Sequence, residues 1–243
     1  MPKFKLILAY DGAAYHGWQS QPSGRGVQDH VEAALSRLFP SAPRLESASR
    51  TDAGVHALGM VAHFELSPEE ARIPVRHLAL SINSGLPDDI RVRSATRAAE
   101  NFHARFDAAG KQYRYRIWNH PVMNPLLRHS AWHVPQVLDL AAMRAAAVHF
   151  IGRHDFLAFT SNCPGVLTDS IRTLPRCEIQ RRGPELTVLI EGDAFLYKMC
   201  RAITGTLIQT GQGRFKPDDI PAMLASHQRT AAGVNAPAHG LVL

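Results

Sequence analysis

The chain has 243 residues, 45% of them hydrophobic, which is enough for a large core in one domain or in two joined tightly. Lysine and arginine number 27 against 21 aspartates and glutamates, giving a formal charge of +6 and a sequence pI near 9.5. That balance favours a polyanionic partner, and the composition excludes a disordered chain.

The first half opens on a strand-like run from Lys3 to Tyr10. A Gly-rich turn at Gly24-Arg25-Gly26 then leads into a helix whose Val27, Val31, Ala34, Leu35 and Leu38 fall on one face. Arg44 to Ser49 reads as a strand approaching a loop, and Leu58 to Leu66 as the strand leaving it. Ser67-Pro68-Glu69-Glu70 is a helix start signal, and the apolar pattern through Leu78, Leu80 and Ile82 predicts one or two short helices before a strand from Ile90 to Thr96.

The second half repeats the theme without sequence repetition. Gln112 to Trp118 alternates, which puts Tyr113, Tyr115 and Ile117 on one face and Gln112, Arg114 and Arg116 on the other. Asp139 caps a predicted helix through Phe150. Leu174 to Gln180 and Leu186 to Glu191 read as strands, Leu196 to Thr210 as a helix, and Pro217-Asp218-Asp219 as the start of a short helix ending near Ser226. Strands mixed with helices in this order predict an α+β fold with helices on one face of the sheet. No linker rich in proline, glycine and serine divides the chain, so the expectation is two α+β halves, 1–106 and 107–243, sharing one continuous sheet.

The loop between the two central strands of the first half carries the most chemistry. Ser49-Arg50-Thr51-Asp52-Ala53-Gly54-Val55-His56-Ala57 sets one carboxylate between an arginine and a glycine. Gly54 can take backbone angles closed to other residues, Ala53 leaves room for a substrate, and Arg50 with the turn amides would hold Asp52 ionised. An Asp close before a Gly is also ordinary turn chemistry.

The nine residues together closely resemble the nucleophile loop of the TruA family of tRNA pseudouridine synthases, whose signature reads Gly-Arg-Thr-Asp-Ala-Gly-Val-His-Ala; Ser49 alone departs. The resemblance continues in order through Tyr10-Asp11-Gly12, Tyr15, Gly17-Trp18-Gln19, Gln21, Leu86-Pro87-Asp88-Asp89-Ile90 and Phe102-His103-Ala104-Arg105. It runs on through Lys111-Gln112-Tyr113-Arg114-Tyr115, Gly152-Arg153-His154-Asp155-Phe156, Phe195-Leu196, Met199-Cys200-Arg201, Ala236-Pro237-Ala238 and Gly240-Leu241.

This resemblance implies the pseudouridine synthase fold, a mainly antiparallel sheet with a central active-site cleft. It implies an isomerase that converts uridine to pseudouridine at positions 38 to 40 of the tRNA anticodon stem-loop, and a homodimer that grips tRNA across both subunits. Asp52 would be the catalytic carboxylate, Tyr113 the active-site tyrosine and Arg201 the arginine that pairs with Asp52. Arg50 would fill the space of the flipped base, and Arg105 would contact phosphate. Ala202 stands where the family commonly has asparagine.

The residues bear on these implications independently. Isomerisation moves a bond within one molecule, so no cofactor is required, and a flipped uracil wants an aromatic ring, which Tyr113 can supply. Tyr115 reads as core. Seven basic residues between Arg91 and Arg116 (Arg91, Arg93, Arg97, Arg105, Lys111, Arg114, Arg116) face two acidic ones, Glu100 and Asp107, which marks that segment as the phosphate surface.

Other classes fit poorly. Thirteen histidines include no i, i+4 pair with a carboxylate between them, so the spacing predicts no metal. Cys163, Cys177 and Cys200 lie 14 and 23 residues apart and lack the close pairs of structural zinc. With no apolar leader after Met1-Pro2-Lys3-Phe4 and no apolar run near the ~20 residues of a membrane span, a reduced cytoplasmic setting is expected, with no membrane partner. Gly24-Arg25-Gly26 lacks the third glycine of a dinucleotide fingerprint. The remaining rival is an RNA-binding protein without catalysis on the same scaffold.

Overall fold

The computed structural model describes residues 1–161 and 169–243, so the Cys163 reading lies outside the described residues. The chain is α+β and divides into two compact units, 1–108 with Leu243, and 109–242.

In the first unit β1 (Lys3–Tyr10) alternates between half-buried and buried residues. It is flanked by β3 (Ala57–Glu65) and β4 (Ile90–Ala98), and the two-residue β2 (Glu46–Ser47) pairs with β3. The four-stranded order is β2-β3-β1-β4, antiparallel throughout. Register sets Phe4 opposite Phe64 and Leu6 opposite Ala62, so large and small side chains alternate across the inner face. Helices α1 (Val27–Leu38) and α2 (Val75–Asn83) cover that face: Val27, Val31, Leu35, Leu78 and Ile82 join Phe4, Leu6, Leu8 and Met60 in one core. Asp29 starts α1 by accepting the Gly26 N–H at 2.9 Å. Leu80 is 70% exposed, because at i+2 from Leu78 it points away from the stripe that Leu78 and Ile82 form.

In the second unit β5 (Lys111–Trp118) pairs antiparallel with β10 (Glu185–Gly192), which in turn pairs with β9 (Arg176–Arg182). The short β11 (Leu241–Val242) lies antiparallel to β5 and β6 (Trp132–His133) parallel to it, while β7 (Gly152–Asp155) and β8 (Ile171–Leu174) form a separate antiparallel pair. The expected strand from Leu174 to Gln180 is thus two elements, since Pro175 between them offers no N–H for a ladder.

Helix α3 (Leu140–Val148) begins where Asp139 accepts the Ala142 N–H at 2.9 Å, and it packs on β9 and on α4 (Met199–Gly211). Apart from half-buried Arg201, every residue of α4 is buried. Its three threonines survive there because Thr204, Thr206 and Thr210 donate to the carbonyls four residues back at 2.8, 2.8 and 3.0 Å. The helix starts at Met199, three residues later than its apolar pattern, because Lys198 before it has a left-handed φ of 59°. Helix α5 (Asp219–Ser226) follows.

Candidate functional site

Asp52 sits half-buried in the connection from β2 to β3, in a loop held from behind by the residues that follow β1. Trp18 N donates to Thr51 O at 3.1 Å, Gly54 N to Tyr15 O at 3.3 Å, and Gly12 N to His56 Nδ1 at 3.1 Å. The hydroxyls of Tyr10 and Thr51 meet at 2.8 Å, and the His56 ring lies 2.9 Å from Asp11 Oδ1. Such close backbone approach admits no side chain: a Cβ on Gly12 would lie 2.0 Å from Val55 O, and one on Gly17 2.5 Å from Thr51 O. Gly54, at φ 78°, makes the left-handed turn that the sequence predicts for it. Val55 N closes the turn on Asp52 O at 3.1 Å. On the far side Leu243 N donates to His56 O at 3.0 Å and Leu58 N to Leu243 O at 2.7 Å. Residues Thr51 and Val55 to Ala57 are therefore buried, while Arg50 and Ala53 face solvent.

Two further residues that the sequence predicts for the site lie in the second unit. Tyr113 is buried on β5 opposite Ile190, and its ring meets Phe195 edge to face with centroids 5.0 Å apart. Arg201, in the first turn of α4, donates from Nε to Ala236 O at 2.7 Å, and Ala236 N returns a bond to Arg201 O at 3.0 Å. Tyr115 donates its hydroxyl to the next carbonyl, Pro237 O, at 2.7 Å. Burial raises the pKa of that phenol and the nearby Arg201 charge opposes the rise, so Tyr115 is a neutral core residue anchoring the segment that grips Arg201. Arg114 is exposed on the opposite face of β5, with Nε 3.1 Å from Gln112 Oε1.

The basic segment is less uniform than its composition. Arg91 pairs with Asp88, and Arg93 donates to Leu58 O at 2.8 Å. Arg97 donates to Ala71 O at 2.5 Å and lies over the Phe4 ring, and Arg116 meets both carboxylate oxygens of Glu185 at 3.2 Å. These four are engaged in holding their own units. Arg105 is exposed in the turn after β4 and keeps its guanidinium near the Phe106 ring.

Among the described residues Glu46, His63 and His103 form the one group whose ligand atoms could converge on a metal, all within 4.8 Å of one another. Sequence spacing gave no sign of it, because β2 pairing with β3 brings Glu46 opposite His63. The ring hydrogen bonding opposes metal binding. His63 Nδ1 accepts the Ala104 N–H at 3.3 Å, and His103 Nδ1 accepts those of Arg105 and Phe106 at 3.2 and 3.4 Å. Each neutral ring then carries its proton on Nε2, and His103 Nε2 meets Glu46 Oε2 at 2.7 Å. Burial, helped by the neighbouring His103 and Lys3 and opposed by Glu46, lowers the pKa of His63. Cys177 and Cys200 are buried thiols, that of Cys177 pushed up to about 12 by burial. No helix among the described residues is long and apolar enough to cross a membrane.

The family model described as tRNA pseudouridine synthase matches residues 6–107 and 146–243. A protein of Geobacter sulfurreducens named tRNA pseudouridine synthase A is 45% identical over 244 residues, spanning 100% of this chain and 98% of the relative. Proteins of the same name from Geotalea uraniireducens and Acetivibrio thermocellus are each 43% identical, again over 100% of this chain and 98% of theirs.

Proposed function

The chain belongs to the tRNA pseudouridine synthase family, and from that membership we propose that it isomerises uridine to pseudouridine at positions 38 to 40 of the tRNA anticodon stem-loop. The observation that carries the reading is the Asp52 loop: a single carboxylate, half-buried, on a turn whose flanking residues are pinned by backbone bonds from Trp18, Gly54 and Gly12.

The reaction breaks the bond from N1 to C1′, turns the uracil, and joins C5 to C1′; the hydrogen on C5 leaves to solvent and N1 gains one. One carboxylate serves either as a nucleophile toward sugar or uracil, or as the base that removes a sugar proton to give a glycal. Either role needs Asp52 ionised, and Arg201 is the guanidinium assigned to keep it so. Tyr113 offers a ring for the flipped uracil and a hydroxyl for proton movement. Arg50 fills the gap left in the RNA stack, and Arg105 and Arg114 take phosphates. No metal or cofactor enters this scheme. The same resemblance supports two halves, 1–106 and 107–243, sharing a mainly antiparallel sheet around a central cleft, a homodimer gripping one tRNA, and a cytoplasmic location.

Mapping pseudouridine in tRNA from cells lacking this chain tests the proposal. Loss of pseudouridine at anticodon-arm positions, restored by the wild-type chain, is expected. Unchanged pseudouridine at all of positions 38 to 40 would overturn it.

A further inference from the structure

The turn after β4 is built more firmly than a surface loop needs to be. His103 N donates to Asp107 Oδ2 at 2.8 Å, and Asp107 N returns a bond to His103 O at 3.0 Å. The imidazole of His103 accepts the Arg105 and Phe106 amides on one side and meets the Glu46 carboxylate on the other. Its ring meets that of buried His63 with centroids 4.9 Å apart, and His63 in turn meets the half-buried Phe102 ring at 5.7 Å. What this frame presents is Phe106, 74% exposed, its ring backed by the His103 ring at 4.2 Å and 34°. The Arg105 guanidinium lies 5.8 Å from the same ring. Among the described residues, Phe106 and Tyr197 are the two aromatics in the set of exposed large apolar side chains, and Phe106 is the more exposed.

Leaving a phenyl ring in water forgoes about 1.5 to 3 kcal/mol of burial, and fixing its backbone so thoroughly has no packing return. A rigid ring with one face supported and a cation beside it is what an unpaired nucleobase stacks on, while the cation takes the adjoining phosphate. We propose that Phe106, held by His103 and Glu46, is a second nucleobase-stacking subsite for the tRNA, separate from the site of the flipped uridine. The inference rests on the tRNA reading above and adds to it a nucleotide gripped outside the reacting base. Sequence reasoning stopped at Arg105, because the exposure of Phe106 follows from the turn and not from any local pattern.

The test compares wild type with Phe106→Ala, Phe106→Trp and Phe106→Leu on an unmodified tRNA transcript. KM from release of the C5 hydrogen and Kd from filter binding are both measured. Stacking predicts that Phe106→Ala raises both by about tenfold, with the effect on KM and not kcat and with an unchanged melting temperature. Phe106→Trp should restore affinity and Phe106→Leu should not, since leucine is apolar without a π face. A change within twofold for Phe106→Ala would overturn the subsite, as would equal rescue by leucine and tryptophan. Altered sedimentation of the free Phe106→Ala protein would also overturn it, by making the ring a contact between copies. Should wild type release no hydrogen at all, the isomerase reading falls, and the Kd comparison still decides the subsite by itself.

Discussion

The loop carrying Asp52 is held mainly by backbone N–H groups meeting across two loops, whereas the helical turn carrying Arg201 is held by side chains bonded to carbonyls together with one backbone bond from Ala236. In the first unit, Trp18, Gly54 and Gly12 supply N–H groups to partners across two facing loops, and glycine is required where those loops nearly touch. In the second, Arg201 Nε and Tyr115 Oη reach successive carbonyls at Ala236 and Pro237, on a segment laid against a buried helix. Backbone clamping fixes a carboxylate that is only half-buried. Side-chain anchoring gains its rigidity from a core. Damage to the scaffold of the first region should therefore appear in turnover, and damage to the scaffold of the second in stability.

Gly12→Ala and Gly205→Ala set the two regions against each other, because each adds one methyl group against a backbone oxygen, Val55 O at 2.0 Å and Val234 O at 1.7 Å. Gly12→Ala should displace the Asp52 loop and lower kcat by about 100-fold at a small cost in melting temperature. Gly205→Ala, inside buried α4, should cost about 1 to 3 kcal/mol of stability, read by urea unfolding. The reverse ranking would break the comparison.

The same contrast, with a smaller cost in stability, divides neighbouring tyrosines on β5. Tyr113→Phe should slow turnover by about 100-fold while leaving tRNA affinity near wild type. Tyr115→Phe should instead lose about 1 kcal/mol through the bond to Pro237 O, with turnover little changed. Equal catalytic losses would show that the two residues share one role.

His63 gives the first unit an acid-sensitive anchor. Because burial lowers its folded-state pKa, the unfolded chain binds the proton first as pH falls below about 6.5. Its contribution is complete above that pH and is lost progressively beneath it. Melting temperature should fall more between about pH 7 and pH 5 for wild type than for His63→Asn, which cannot titrate; identical slopes would remove His63 from the account. The smallest effect belongs to Lys198, whose left-handed backbone suits asparagine better. Lys198→Asn should gain about 0.5 kcal/mol in urea unfolding, after loss of the contact between Lys198 Nζ and the Tyr197 ring is deducted.

Local periodicity made most elements legible: the alternation along β1 and β5, the stripe of α1 and the Asp139 cap all depend on residues a few positions apart. Errors arose where one residue overrode a pattern, as Pro175 divides β8 from β9 and Lys198 delays α4. The Asp52 loop was readable as nine contiguous residues, but its clamp was not, because Tyr10 and Thr51 are 41 residues apart and meet only once β1 and β3 pair. Glu46, His63 and His103 were hidden for the same reason. Composition overstated the basic segment, since charge counts do not show that Arg91 and Arg116 are matched by Asp88 and Glu185.

The central claim is that Asp52 carries out the isomerisation, and release of tritium from uracil C5 of a labelled tRNA transcript measures it most directly. Wild type should release tritium over many turnovers. Asp52→Asn, nearly the same shape but without charge or basicity, should bind the transcript, melt at the wild-type temperature and release none. Multiple turnover by pure Asp52→Asn protein would contradict the account.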